Sequence, residues 1–179
     1  DYMHGLGFDE ASGNFQFDNF ARGGCPSDAV RADAMDNAVG GPSLNNANFG
    51  TPAEPADCDP STFGNFRPRM QQYVCRHGDE AAPTWLADTS LDADVVIHEF
   101  THGTTHRLGG GPFNGGLGVF QSGARGEGWS DWYPASYHDD PVMGEYAFAD
   151  PVAGVRCWAM NANPRVYSDV CLGTICRPT

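Results

Sequence analysis

The sequence predicts an α+β fold, with strands in the first half of the chain and helices in the second. Two observations carry this. Three short strand-like stretches fall before residue 76 of the 179-residue chain, and two helix-like stretches holding the acid and imidazole motifs follow residue 89. Residues 1–27 are rich in Gly and Asn with aromatics spaced between, and read as loop. From Ala29 to Asp36 the apolar Val30, Ala32 and Ala34 alternate with Arg31 and Asp33, the period of a short strand. A turn at Gly40-Gly41-Pro42-Ser43 leads into an edge strand over Leu44–Phe49. Residues 50–68 are Pro-rich and read as an excursion. The chain returns from Arg69 to Cys75 as a strand with Met70, Gln72 and Val74 on one side.

The first helix starts at Ser90 or Asp92, both good N-caps, with acids in the first turn. It runs through DADVVIHEFTHGTTHRL and stops at Gly109-Gly110-Gly111-Pro112. A second helix is expected from Ser122 to Trp132, with Pro134 kinking or ending it. From there to Thr179 the chain reads as loop.

Composition narrows the function. The formal net charge is −13, and all ten basic residues are Arg. So negative a surface repels phosphate backbones, which excludes a nucleic-acid binder. No run is long and apolar enough to cross a bilayer, which excludes a membrane span. Leu, Val, Ile and Phe make up 31 of the 179 residues. That is few for a globule, so the fold is expected to need disulfides, a metal or further polypeptide. None of the six cysteines forms a Cys-x-x-Cys pair, so they read as disulfide partners in an oxidising compartment rather than metal ligands. Nearest-neighbour pairing would join Cys58 to Cys75 and Cys171 to Cys176, two of the choices among fifteen connectivities. The chain begins at Asp1 rather than Met and is expected to be a processed product or a fragment.

His98-Glu99-Phe100-Thr101-His102 is a His-Glu-x-x-His pattern on the first helix. Residues four apart share a helical face, so both imidazoles can reach one ion at about 2.0–2.1 Å. Glu99 is then positioned to take the proton of an attacking water. A hydrolytic zinc site takes a third protein ligand and keeps one open position. Glu127, in GEGWSD, lies 25 residues after His102 and is the candidate. Asp131, four further along, would accept the other ring N–H of a ligand histidine and fix its tautomer. His106 continues the same stripe, but at 1.5 Å rise it stands about 12 Å from His98 and cannot share its ion. It is expected to cap the helix C-terminus. The longer His-x-x-Gly-x-x-His extension fails at Thr105 and Leu108. His4, His77 and His138 read as surface or packing residues. Asp57, Asp59, Asp139 and Asp140 could serve calcium, but no loop has the spacing of a calcium motif.

VVIHEFTHGTTHRLGGGP followed by GEGWSDWY resembles the fungalysin family of secreted zinc metallopeptidases, a branch of the thermolysin-like gluzincins. The likeness extends to YMHGLGFDEASGNFQ, AVRADAMD, NNANF and PRMQQYV, and so covers most of residues 1–160. It implies a thermolysin-like zincin, with a mixed sheet and zinc-binding helix over 1–108 and the start of a helical second lobe over 109–179. One Zn2+ per chain would sit on His98, His102 and Glu127, with Glu99 as general base and Asp131 orienting a ligand histidine. The strand around Asn45, Asn46, Ala47 and Asn48 would hold an extended substrate, as a free strand edge can. The implied activity is extracellular hydrolysis of peptide bonds in proteins. The alternative is a zinc-holding fragment or non-catalytic subunit that needs a companion chain. Family catalytic domains are longer, with a β-rich region before and a helical lobe after. The Cys58–Cys75 region, the Cys-rich end and Pro134 depart from the family pattern. The oxyanion-stabilising His or Tyr has no motif match among Tyr133, Tyr137, His138 and Tyr167.

Overall fold

The computed structural model describes residues 2–36, 45–59, 61, 67–79 and 82–165. The architecture is α+β. Strand β1 (Arg31–Asp33) runs parallel to β3 (Arg69–Gln72), and β2 (Ala47–Gly50) pairs antiparallel on the other side of β3. Strands β4 (Val74–Asp79) and β5 (Ala82–Asp88) form a separate antiparallel pair with an irregularity between His77 and Gly78. Four helices are described: α1 (Tyr2–Gly5), α2 (Ala93–Gly110), α3 (Phe120–His138) and α4 (Glu145–Phe148). Of these, α2 and α3 pack together and carry the site.

The expected strand over Arg69–Cys75 is divided between the two sheets at Tyr73. The Tyr73 carbonyl accepts hydrogen bonds from both the Thr89 N–H (3.1 Å) and the Thr89 hydroxyl (2.7 Å), so it serves the start of α2 instead of a neighbouring strand. The strand expected from Leu44 begins only at Ala47, because Asn45 sits in the left-handed region (φ 55°). Leu44 and the Gly40–Ser43 turn lie outside the described residues. The Ala29–Asp36 stretch shortens to three residues with outward side chains. Arg69 of β3 ties it down through Asp33 (2.6 Å) and Asp36 (2.9 Å). Strand β5 and helices α1 and α4 were not anticipated.

Asp92 caps α2 as expected, its Oδ1 accepting from the N–H groups of Asp94 (3.1 Å) and Val95 (3.3 Å). Its Oδ2 accepts from the Ala147 N–H at 2.9 Å and so also anchors α4. The glycine in the middle of α2 has a packing reason. A Cβ on Gly103 would stand 2.5 Å from Phe49 and 2.7 Å from Phe15, so only glycine lets β2 lie this close to the helix. Around that contact Phe8, Phe15, Phe49 and Phe100 stack at 5.2–6.4 Å between ring centres, an aromatic cluster that makes up for scarce aliphatics.

Helix α3 does not end at Pro134. It continues to His138 and closes on Asp139 in the left-handed region (φ 56°). Pro134 is fully buried, so burial of its ring offsets the missing donor to the Ser130 carbonyl. The Cys58–Cys75 pairing is also wrong. Cys25 bonds to Cys58, joining the first loop to the Pro-rich excursion. Cys75 is a free thiol, 2% exposed, in the small core with Ala87, Val95 and Ala147. Burial pushes that thiol up to about 11, with Asp92 adding to the shift. Cys75 is packed into that core, while Cys58 is taken up by Cys25. Cys171 and Cys176 lie outside the described residues.

Candidate metal centre

His98 and His102 project from one face of α2, with their Nε2 atoms 3.0 Å apart. Opposite them, Glu127 of α3 holds Oε2 3.4 Å from His98 Nε2 and Oε1 3.4 Å from His102 Nε2. A tetrahedral ion with ligands at 2.0–2.1 Å keeps neighbouring ligand atoms about 3.3 Å apart. The three donor groups therefore already stand at the spacing that one such ion requires. Glu127 is 61% exposed, so the ion would meet it from the open side.

His98 is held by its second nitrogen. Its Nδ1 pairs with Asp131 Oδ1 at 2.8 Å, which turns Nε2 toward His102 and Glu127. Asp131 in turn is gripped by Arg156, whose Nε and Nη2 donate to Oδ2 and Oδ1 at 2.7 and 2.6 Å. Sequence reasoning missed Arg156. It stands alone in a loop 25 residues after Asp131, and no spacing rule points to it.

The electrostatics call for a cation. Burial disfavours a charged His98, yet bonds to Asp131 and Glu127 and the nearby Glu99 charge raise it to about 9. Bonds to His102 and His98 hold Glu127 far below the usual carboxylate range. Glu99 is 4% exposed, its Oε2 has no hydrogen-bond partner among the described residues, and burial raises its pKa against the pull of both imidazoles. The ligand atoms of Glu99, His98 and His102 all lie within 4.8 Å of one another. Glu99 thus sits beside the ion position with one oxygen available to a water. Arg156 stays charged, because its bonds to Asp131 outweigh burial.

These groups border a cleft of about 510 Å³. Asn45, Asn46, Ala47, Asn48 and Phe49 line one wall, and β2 is paired only along its β3 side among the described residues. Two of the asparagine side chains are already engaged. Asn45 Oδ1 accepts from the Arg76 N–H at 2.6 Å, and Asn48 Nδ2 donates to the Tyr73 hydroxyl at 3.0 Å. His106 does not cap α2. The helix runs on to Gly110, and His106 lines the cleft, where burial and His102 lower its pKa.

The other histidines are structural. His4 meets Glu10 at 3.3 Å, His77 the Ala147 carbonyl at 3.1 Å, and His138 Nδ1 meets Asp94 at 2.7 Å. Asp57, Asp59 and Asp140 accept from backbone N–H groups of local turns. Tyr137 packs edge-on to Tyr2 at 5.1 Å, and neither it nor Tyr133 or His138 lines the cleft. Tyr167 lies outside the described residues.

A helix presenting His-Glu-x-x-His to a carboxylate from the next helix, beside a small mixed sheet, defines a thermolysin-like zincin domain. The chain belongs to the fungalysin metallopeptidase family (M36), whose model matches residues 1–175. It is 36% identical to the extracellular metalloproteinase MEP of Pyricularia oryzae, over 94% of this chain and 25% of the relative. It is 38% identical to the extracellular metalloproteinase MEP of Leptosphaeria maculans and to extracellular metalloproteinase 2 of Trichophyton rubrum, each over 95% of this chain and 26% of the relative. The chain therefore spans about a quarter of the length of the curated relatives it matches.

Proposed function

We propose that this chain holds the zinc site of a secreted endopeptidase, with His98, His102 and Glu127 as ligands and Glu99 as general base. The observation that carries the reading is the convergence of two imidazole nitrogens and one carboxylate at separations of 3.0–3.4 Å. Two nitrogens and an oxygen around an open fourth position suit zinc. When bound there, the ion supplies Lewis-acid polarisation of the scissile carbonyl and acidifies water. Glu99 Oε2 accepts the proton of the attacking water and delivers it to the leaving amine. Asp131, clamped by Arg156, keeps the His98 ring in its ligating tautomer. Asn46 and the backbone of Ala47–Asn48 offer hydrogen bonds to an extended peptide, since the Asn45 and Asn48 side chains serve the fold. Residues 1–108 belong to the first lobe and 109–179 open the second. The relatives' extracellular naming and the Cys25–Cys58 bond support secretion.

Glu99→Gln tests the mechanism. The variant should retain one zinc per chain, measured after dialysis, while casein cleavage falls by about 10²–10⁴-fold or more. Cleavage at the unaltered rate would overturn the assignment.

A second reading, a zinc-holding piece that needs a companion polypeptide, is favoured by the exposed rings of Trp129 (41%) and Trp132 (52%) on α3. Chelator-sensitive cleavage by this polypeptide alone would dismiss it.

A further inference from the structure

One turn past the metal motif, α2 carries a second charged cluster that the proposed chemistry does not use. Arg107 is 2% exposed, and its two acidic partners, Asp28 and Glu54, have fully buried side chains. Arg107 Nη1 stands 3.0 Å from Glu54 Oε1, and Nη2 stands 3.5 Å from Asp28 Oδ2. One Nη1 N–H of Arg107 donates to the Pro112 carbonyl at 3.0 Å, which also accepts the Glu54 N–H at 2.8 Å. Asp28 Oδ1 accepts from the Gln16 N–H at 3.0 Å. The remaining oxygens, Asp28 Oδ2 and both of Glu54, lack a well-aligned hydrogen bond among the described residues, although the Cys25 N–H faces Glu54.

Two carboxylates against one guanidinium would leave a net negative charge sealed in the interior, which is strongly disfavoured. One proton on a carboxyl removes the surplus and supplies the missing donor. The two acids reach Arg107 from loops that the Cys25–Cys58 bond joins. Asp28 follows Cys25 by three residues, and Glu54 precedes Cys58 by four. Glu54 also lies four residues beyond the end of β2. The cluster therefore ties the cleft-lining strand to the far end of the metal-binding helix, and the Phe49–Gly103 contact leaves no slack between the two.

We propose that Asp28, Glu54 and Arg107 form a proton-holding latch that positions the β2 edge against the metal-binding helix, the two carboxyl groups sharing one proton. The cleft's role in binding peptide rests on the reading above, but the latch itself does not. The groups that face Asp28 are Arg107 of α2, Glu54 of the Pro-rich loop and the Gln16 N–H. Glu54 faces Arg107, Asp28 and the Cys25 N–H. Burial dominates at Asp28 and raises it to about 7, and burial raises Glu54 as well. Between about pH 4, where an unfolded Asp titrates, and about 7, the folded protein holds a proton that the unfolded chain has released. The latch therefore stabilises the fold in acid and loosens as pH rises through 7.

The test compares the zinc-loaded protein with Asp28→Asn, which keeps the shape but cannot ionise. In urea unfolding, the ratio of wild-type to variant unfolding constants should rise about tenfold per pH unit between pH 5 and 6.5, then level off above 7. Amide NMR shifts of Ala47–Gly50 should titrate near pH 7 in the wild type and not in the variant. In peptide cleavage, the wild-type KM should climb relative to the variant above pH 7, with the kcat ratio unchanged. Parallel unfolding profiles, or β2 amides that titrate alike in both proteins, would overturn the latch. No cleavage by either protein would count against the endopeptidase reading alone, since the first two measurements need no turnover.

Discussion

The middle of α2 and its last turn face the same electrostatic difficulty and solve it differently. At His98–His102, Glu99, Glu127 and Asp131 surround two imidazoles and Arg156. At Arg107, Asp28 and Glu54 surround one guanidinium. Both clusters carry more carboxylate than fixed cation. At the first, Asp131 is satisfied by His98 and by both arms of Arg156, and Glu127 opens onto the cleft at 61% exposure. Its surplus negative charge therefore faces a volume that a divalent ion can enter. At the second, every partner is sealed, and a proton is the only cation small enough to balance the charge. The number of carboxylates is thus a poor guide to a metal site. What decides is whether the surplus faces open space and whether the ligand orientations are already held by neighbours.

This contrast can be broken from either side. The largest effect is expected from Glu127→Ala, which removes the carboxylate opposite the histidines. Metal analysis after dialysis should find no zinc, while the unfolding midpoint of the metal-free protein should fall only slightly, because solvent screens the contacts of the exposed Glu127 with the imidazoles. Retention of a full equivalent would remove Glu127 from the ligand set. Arg107→Met should do the reverse, keeping the imidazoles but stranding two buried acids. A loss of about 3–5 kcal/mol is expected at pH 8 in chemical denaturation, with a smaller loss at pH 5, where the carboxyls accept protons. An equal loss at both pH values would show that packing, not charge, is at stake. The smallest effect belongs to Asp131→Asn. It should weaken zinc about 10–100-fold in competition with a chelator, since the amide can still accept from His98 but no longer carries the charge. Unchanged affinity would mean that the α2 backbone alone holds the His98 ring.

Much of the centre was legible before any coordinates. The i, i+4 spacing of His98 and His102, and of Glu127 and Asp131, states which side chains share a face. Helical geometry then does most of the placing. Arg156 was not legible because it reaches Asp131 from a loop, where no period constrains direction. The same limit explains Cys25–Cys58. Nearest-neighbour pairing ignores that β4 turns Cys75 into the core while the Pro-rich loop folds back to the first loop. His106 shows a subtler failure. The spacing sets it apart from His98 along the helix, but its expected role as a cap assumed a helix end that lies one turn further on. Pro134 failed for a related reason, because the penalty of a missing donor is local while the burial that offsets it is tertiary.

By itself, then, the sequence determined the α+β class, a capped helix start at Ser90 or Asp92, the helix bearing His98, Glu99 and His102, and the pairing of acids on α3. Each of these follows from the local repeat of the backbone, which is readable one residue at a time. Only the tertiary structure decided which loop closes on which. It brought Arg156 to Asp131, Asp28 and Glu54 to Arg107, and β2 against Gly103. Those contacts join residues 25 to 79 positions apart, and they are selected by packing and charge balance across the whole chain, which no window of sequence contains.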